Sequence, residues 1–156
     1  MFMTALDRAL KYLNIKPRTR HQVEQYLKGK DYAEDEIAEA LAQLEEYHYI
    51  DDLNFARLYI ELGFEKGHGM ARIRRELGEK GVDRYVISAA IDELEDVPDE
   101  YEMALEIGRS VVSGIDISSL DYEEKQKLRA KIARRLAGRG YTGDIAYKVA
   151  KNCTEK

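Results

Sequence analysis

Apolar residues along this chain recur three and four positions apart, which is the spacing that places side chains on one face of an α-helix. Ala, Leu, Glu, Lys and Arg dominate, and only Pro17 and Pro98 interrupt the sequence. No run of alternating Val, Ile and Thr predicts a long strand. We therefore predict an all-α fold, with helices near residues 3–14, 18–28, 34–46, 52–64, 68–79, 83–94, 99–112, 121–137 and 142–152.

The helical pattern repeats three times. In each copy an aliphatic pair four residues apart is followed by a basic residue beside a glycine, and then by an apolar residue that opens the next helix. Leu27, Leu77 and Leu136 each close one of these pairs. A three-helix unit of this size buries little apolar surface alone, so we expect neighbouring units to pack together. The prediction is an elongated, curved array of three tandem three-helix repeats, each resembling a helix-turn-helix, at residues 1–50, 51–97 and 98–156.

Several helix ends carry recognisable capping residues. Lys80-Gly81 and Arg139-Gly140 are typical of helix C-termini, because glycine adopts the left-handed conformation and a cation meets the negative end of the helix dipole. Asp51 and Thr142 are predicted N-caps, and Asp121 with Glu124 predicts a capping box. Residues 113–120 read as a loop.

Composition limits the class of protein. The chain has 156 residues, of which 44% are hydrophobic, and a formal net charge of −5. These values favour a folded domain and exclude a uniformly basic nucleic-acid coat. No apolar run is long enough to span a membrane, and the N-terminus lacks the pattern of a signal peptide. We expect a cytoplasmic protein, and the single Cys153 excludes a disulfide framework.

The net charge hides a strong segregation. Residues 31–62 hold ten anions and one cation, residues 85–124 hold twelve anions and one cation, and residues 125–156 hold ten cations and two anions. Basic residues collect on the second helix of each predicted repeat, and no acid falls between Lys125 and Gly143. A repeated basic face of this kind is typical of a surface that follows an anionic groove or a nucleic-acid backbone. Solvated faces paired with acidic neighbours are the alternative interpretation.

No pattern of catalytic or metal-binding residues is evident. The sequence lacks a P-loop motif, and His21, His48 and His68 lie at no metal-ligand spacing from one another. We predict neither enzymatic activity nor a cofactor or metal.

Eleven tyrosines and no tryptophan give the chain an unusual aromatic content. Most of these rings are expected at helix contacts with the hydroxyl at the rim. The residues that fit such packing are Tyr26, Tyr32, Tyr85 and Tyr147. Tyr47, Tyr49 and Tyr141 could instead offer stacking faces for nucleobases.

Two segments resemble signatures of the RecX family of recombinase regulators. Residues 48–57, HYIDDLNFAR, resemble that family's Gly-Tyr-Ile-Asp-Asp-x-x-Phe-Ala segment, with His48 in place of the glycine. Residues 66–82, KGHGMARIRRELGEKGV, are similar to its Gly-x-x-x-Ile-x-x-x-Leu-x-x-Lys-Gly pattern. The start of the second helix, where His21 replaces the usual serine, and residues 136–141 also fit. The resemblance extends from about residue 4 to residue 152.

The resemblance implies a function. Such proteins bind the filament of RecA recombinase on single-stranded DNA and inhibit its ATPase and strand-exchange activities, without catalysis or a cofactor of their own. We expect a monomer that contacts the recombinase filament through its basic residues, which could also contact DNA directly. The candidate binding residues are Arg18, Arg20, Lys66, Arg72, Arg74, Arg75, Lys80, Arg129, Lys131, Arg134, Arg135 and Arg139.

Two other functions fit parts of the sequence. A stand-alone helix-turn-helix module would bind duplex DNA, although the basic helices are poor in the Asn and Gln that commonly read adenine. A helical-repeat scaffold would use the acidic faces at 31–46 and 92–106 to bind a basic protein.

Overall fold

The computed structural model describes residues 3–155, and this part of the chain is helical without any strand. It contains nine α-helices and one short 3-10 helix at Ile117–Ser119. The α-helices are α1 (Ala5–Ile15), α2 (Arg20–Gly29), α3 (Glu34–Glu46), α4 (Asp52–Glu65), α5 (Met70–Glu79), α6 (Arg84–Asp92), α7 (Glu100–Val112), α8 (Tyr122–Arg139) and α9 (Gly143–Thr154).

The all-α prediction is confirmed, and the nine observed helices follow the predicted order. The capping predictions are confirmed as well. Asp51 accepts the backbone N–H of Asn54, and Thr142 accepts that of Ile145. Asp121 and Glu124 form the reciprocal capping box at the start of α8. Residues 1, 2 and 156, which belong to the first and last predicted repeats, lie outside the described part of the chain.

The chain divides into two compact units. The first unit consists of Met1–Tyr59 and Glu76–Leu94. Its main core lies among α1, α2 and α3, whose apolar stripes meet. The buried members of this core are Ala5, Ala9, Val23, Leu27, Ile37, Ala40, Leu41, Leu44 and Ile50.

The second unit consists of Ile60–Arg75 and Glu95–Lys156. Its core lies among α7, α8 and α9. Gly108 allows α7 and α9 to approach closely, since a Cβ there would lie 2.6 Å from Cγ1 of Val149. The buried members are Ala104, Leu105, Leu128, Ile132, Leu136, Tyr141, Ala146, Val149, Ala150 and Cys153.

Within the first unit, the C-terminal end of α5 meets the N-terminal end of α2, a contact that we call the first helix junction. The hydroxyl of Thr19, the N-cap of α2, donates to the carbonyl of Lys80 at 2.6 Å. Gly81 has φ +84°, and a Cβ at this position would lie 2.2 Å from Cβ of His21. Asp52 accepts the backbone N–H of Arg20 at 2.9 Å. The left-handed glycine predicted at Gly81 is thus confirmed and also gives room for the contact.

Within the second unit, the C-terminal end of α8 meets the N-terminal end of α5 in the same way, which we call the second helix junction. The backbone N–H of Gly69 donates to the carbonyl of Arg139 at 2.8 Å. Gly140 has φ +98°, and a Cβ there would lie 2.2 Å from Cβ of Arg72. Glu100 accepts the backbone N–H of Met70. Each junction therefore joins the second helices of two consecutive predicted repeats, whose exact boundaries stay a prediction.

Candidate partner-binding surface

Helix α8 carries the densest group of cations. Leu128, Ile132 and Leu136 are spaced four residues apart and are buried on one face. The same helical period places Lys127, Lys131 and Arg134 together on an exposed face. The acidic residues of α8 are confined to its first turn, where the helix dipole favours them. The remainder of the helix is left with an uncompensated positive face.

Six of the twelve predicted binding residues are exposed and form no salt bridge with any carboxylate in residues 3–155. All six belong to the second unit. They are Lys66, Arg74, Lys131, Arg134, Arg135 and Arg139. These side chains can reach an anionic partner without first breaking an ion pair.

Arg135 and Arg139 share a groove of about 350 Å³ in the second unit. Apolar side chains of α4 and α7 contribute to its lining, and so do two carboxylates. The remaining lining residues are Phe64, Glu65, Gly67, Met103, Glu106, Ile107 and Ser110. The groove thus combines cations with apolar surface, which sequence analysis did not predict, because the apolar members come from α4 and α7 and the cations from α8.

Arg18 is held inside the first unit. Its guanidinium carbon lies 4.1 Å from the centroid of the Tyr12 ring, and Tyr12 stacks on Tyr26 with centroids 3.9 Å apart. The Nε atom of Arg18 is buried and has no hydrogen-bond partner in the described residues. A cation over an aromatic face is stabilising. Arg18, which lies in the connection between α1 and α2, therefore has a structural role and is a weak candidate for contact with a partner.

Four more of the predicted residues interact within the chain. Arg20 forms salt bridges with Glu45 at 2.8 Å and Glu24 at 3.3 Å. Arg72 donates to the carbonyl of Gly138 at 3.2 Å, Lys80 lies over the Tyr59 ring at 5.5 Å, and Arg129 donates to the Thr154 hydroxyl at 2.6 Å.

Arg75 is exposed on α5 and also interacts within the chain. The binding role of all twelve residues stays a prediction, which the exposed set in the second unit fits best.

The tyrosine predictions are confirmed only for Tyr26 and Tyr32, which pack against the core of the first unit. Tyr141 is buried, and its hydroxyl donates to the carbonyl of Gly67 at 2.8 Å, so the prediction that its ring is a stacking face is wrong. Burial raises the pKa of this phenol. Tyr85 and Tyr147 are exposed, and the prediction that they pack between helices is wrong too. Tyr47 and Tyr49 are exposed as a stacking role would require.

Sequence reasoning missed two carboxylates that hold the junctions. Asp52 and Glu100 each occupy the first position of a helix and accept a backbone N–H from a distant helix N-terminus. The available signal was the pair of adjacent acids, Asp51-Asp52 and Asp99-Glu100, at equivalent places in the pattern. A local N-cap explains only the first member of each pair.

Residues 3–155 show no grouping of three or more His, Cys, Asp and Glu side chains suited to a metal ion. None of their helices is long and apolar enough to cross a membrane. Burial raises the pKa of the Cys153 thiol, so the thiolate is disfavoured.

Comparison with known proteins places the chain in a family. Residues 5–44 match a model described as "RecX, first three-helix domain", and residues 51–91 match "RecX, second three-helix domain". A protein of Vibrio parahaemolyticus named "Regulatory protein RecX" is 32% identical over 149 residues, covering 95% of this chain and 91% of that protein. The chain belongs to the RecX family. The family predicted from the two signature segments is therefore confirmed.

Other RecX proteins are longer. A "Regulatory protein RecX" of Lactobacillus delbrueckii is 32% identical over 95% of this chain, but the match covers 53% of the relative. The corresponding share of the protein from Listeria monocytogenes is 56%, at 32% identity. The chain thus spans about half the length of these curated relatives.

Solved RecX structures share the fold. The crystal structure of RecX from Lactobacillus salivarius matches with a TM-score of 0.76 and 25% identity, covering 96% of this chain and 94% of that one. A second crystal structure, of "regulatory protein RecX", matches with a TM-score of 0.74 and 23% identity over 95% of this chain and 70% of that chain. The helical architecture of this chain is that of the family.

Proposed function

We propose that this chain binds the RecA filament on single-stranded DNA and inhibits its ATPase and strand-exchange activities, thereby modulating DNA repair and recombination. It acts as a cytoplasmic monomer, by binding alone, without catalysis or a cofactor. Membership of a regulatory family supports the class of function. The observation that carries the binding mode is the set of exposed cations in the second unit that form no salt bridge within residues 3–155.

The mechanism follows from the placement of cations on α5 and α8, the second helices of consecutive predicted repeats. Arg75 of α5 and Arg134 of α8 occupy equivalent positions in the repeat pattern, two residues after Ile73 and Ile132. Arginine suits such a surface, because its guanidinium binds carboxylate and phosphate groups with two parallel hydrogen bonds. Cations spaced along consecutive repeats would bridge adjacent subunits and restrict the rearrangements that accompany ATP hydrolysis.

Salt should weaken this interaction, since ions screen charged contacts and compete for phosphate. The experiment is a titration of the chain into RecA hydrolysing ATP on single-stranded DNA, at two salt concentrations. We expect inhibition at well below one molecule per recombinase subunit, and weaker inhibition at the higher salt concentration. Saturating protein without any inhibition would contradict the proposal.

A charge-reversal variant tests the surface itself. Changing Arg74, Arg75, Arg134 and Arg135 to Glu should abolish inhibition. The matched control reverses four cations outside the candidate surface, each of which forms a salt bridge, and these are Lys28, Arg57, Lys148 and Lys151. Both variants change the net charge by the same amount, so equal loss in both would indicate a general charge effect. Full inhibition by the first variant would eliminate this surface.

A duplex-binding assay separates the alternative function. A stand-alone helix-turn-helix module would bind a specific duplex without recombinase, whereas the proposed regulator needs the filament. Sequence-specific duplex binding at physiological salt would favour the alternative.

A further inference from the structure

The first unit contains a cleft that the basic surface does not use. It has a volume of about 640 Å³ and lies beside the C-terminal half of α1. We call it the α1 cleft. Its lining residues are Leu10, Lys11, Leu13, Asn14, Ile15, Lys16, Pro17 and Tyr49. None of these belongs to the predicted binding set.

The apolar side chains of the α1 cleft are unusually accessible. Leu10 and Leu13 pack partly against the core of the first unit and give the cleft an apolar inner wall. Ile15 is 76% exposed and Tyr49 is 60% exposed. Clustered exposed apolar side chains on a soluble protein mark interaction sites more often than isolated ones do.

The backbone fixes the rim of the cleft. Lys16 is extended, as expected for a residue before proline, and this ends α1 at Ile15. Tyr49 follows His48, which has φ +62°. The Tyr49 N–H donates to the carbonyl of Leu44 at 2.8 Å, and the next residue, Ile50, is buried. The tyrosine is thus presented by a hydrogen-bonded helix end, and little ordering is needed on binding.

The charges of the lining residues indicate which kind of partner the α1 cleft would bind. Among residues 3–155, the charged side chains that line the cleft are those of Lys11 and Lys16, and no carboxylate lines it. An acidic partner is therefore favoured. Five of the lining residues are Leu, Ile, Pro or Tyr, and Tyr49 supplies the one aromatic ring that the described part of the chain places there. Proteins that bind single-stranded nucleic acid commonly use several aromatic side chains, on which successive bases stack. An aliphatic wall bordered by lysines instead fits an apolar side chain that is flanked by acidic residues.

We propose that the α1 cleft binds an acidic peptide segment of a partner protein through one apolar anchor residue. The anchor inserts between Tyr49, Ile15 and the inner wall. Lys11 and Lys16 pair with flanking carboxylates, and the Asn14 amide bonds to the peptide backbone. This inference does not depend on the proposed function, because it concerns other residues and needs no recombinase for its test.

The test uses fluorescent twelve-residue peptides of Asp and Glu around one central Phe or Leu. Matched peptides carry a central Ala or flanking Lys. Fluorescence anisotropy should show that the Phe or Leu peptides bind at least tenfold more tightly than either control. Tyr49→Ser should weaken binding about 30-fold, the effect of a typical interface hot spot. The Lys11→Glu/Lys16→Glu variant should abolish it.

The matched control is Tyr47→Ser. Tyr47 is 67% exposed on the same turn but does not line the cleft. This variant should bind within twofold of the wild type. Amide NMR shifts in the unmodified protein provide a readout that needs no substitution, and Asn14 and Tyr49 should shift most on addition of the Phe peptide.

Three outcomes would overturn the proposal. The first is that no acidic peptide of the set binds, and the second is that Tyr49→Ser binds as the wild type does. The third is that a dT20 oligonucleotide, and not the peptides, shifts Asn14 and Tyr49, which would assign the cleft to single-stranded nucleic acid.

Discussion

Both helix junctions bring the end of one helix against the start of another, but they do so through different contacts. In the first junction the Thr19 side chain reaches the last carbonyls of α5, and its hydroxyl donates to Lys80. In the second junction Gly69 stands at the equivalent position, and its backbone N–H donates to Arg139 instead. A Cβ at Gly69 would lie only 2.4 Å from the carbonyl oxygen of Gly140. The second junction therefore brings two backbones together, whereas the first is spaced by a side chain.

The difference indicates how much added side-chain volume each junction can accommodate. The nearest atom is a Cβ at both Gly81 and Gly140, and around Gly81 the next two are Cγ and Cδ2 of His21, whose side chain is exposed. Around Gly140 they include the backbone N and Cα of Arg72. The ring atoms of His21 can rotate away from an added Cβ, whereas the Cβ atoms and the backbone of Arg72 move only with their helices. The second junction should consequently be the more sensitive to added volume.

The largest expected effect is that of Gly140→Ala. The substitution combines a left-handed backbone with a collision against α5, so we expect a loss of about 4 kcal/mol in the free energy of unfolding. Gly81→Ala should cost about 2 to 3 kcal/mol, because the ring of His21 can rotate away although its Cβ cannot. Urea denaturation measures both values. A larger loss for Gly81→Ala would contradict the comparison.

Gly114→Ala separates conformational strain from collision. Gly114 has φ +80°, but apart from its two chain neighbours no described residue has a heavy atom within 4 Å of the position of an added Cβ. This variant should cost only about 1 kcal/mol. The excess loss in Gly140→Ala and Gly81→Ala then reports the closeness of each junction.

A second prediction concerns the hydroxyl that only the first junction uses. Thr19 is fully buried, and its Oγ1 both donates to Lys80 and accepts the N–H of Gln22 at 3.1 Å. Thr19→Val should destabilise the protein by about 2 to 3 kcal/mol, since it removes the cap and leaves a carbonyl without its donor. Thr4 is the control, because it caps α1 through Asp7 from an exposed position. Thr4→Val should cost about 1 kcal/mol in the same denaturation experiment. Equal losses would mean that the bond to Lys80 contributes nothing.

A third prediction concerns a hydroxyl that only the second junction uses. Tyr141 follows Gly140 as Val82 follows Gly81, but its hydroxyl donates to the carbonyl of Gly67. Tyr141→Phe should lower the free energy of unfolding by about 1 kcal/mol, because one buried hydrogen bond is lost without a cavity. Tyr147→Phe is the control, since Tyr147 is exposed, and it should change stability by less than about 0.5 kcal/mol. Thermal unfolding followed by circular dichroism distinguishes the two. Matching melting temperatures for the two variants would show that the bond to Gly67 is dispensable.

The local features of the fold could be predicted from the sequence. Helix existence, the N-caps at Asp51 and Thr142 and the left-handed glycines depend on residues within one turn of each other. The family also follows from local segments. For this reason those predictions were confirmed, and the predicted helix bounds differ from the observed ones by at most two residues at either end, as in α8, which begins at Tyr122 and continues to Arg139.

The remaining features depend on distant partners. The bond from Thr19 to Lys80 joins residues 61 positions apart, and no local pattern marks a threonine that donates across such a separation. Arg18 appeared to be one more cation of a basic helix, but its position over Tyr12 follows from the approach of α1 and α2. Sequence alone could therefore count the cations of the candidate surface and could not tell which ones the chain itself uses.

The smallest expected effect concerns a carboxylate of the first junction. Burial, followed by the charges of Glu45 and Asp51, raises the pKa of Asp52, although the N–H and charge of Arg20 oppose the shift. A raised pKa in the folded state means that ionisation of Asp52 lowers the stability of the protein. The stabilising contribution of Asp52 is therefore smallest at neutral pH. It grows as the pH falls through the folded-state pKa toward the ordinary value near 4. Asp52→Asn keeps an acceptor for Arg20 without the buried charge, and it should be as stable as the wild type at pH 7 or slightly more so. Urea denaturation at pH 7 and pH 4.5 should show that the stability of the wild type increases relative to that of this variant at the lower pH. Asp52→Ala, which removes the acceptor, should lower the free energy of unfolding by about 1 kcal/mol at pH 7. A similar loss in Asp52→Asn would mean that the charge of Asp52, and not its acceptor oxygen, stabilises the first junction.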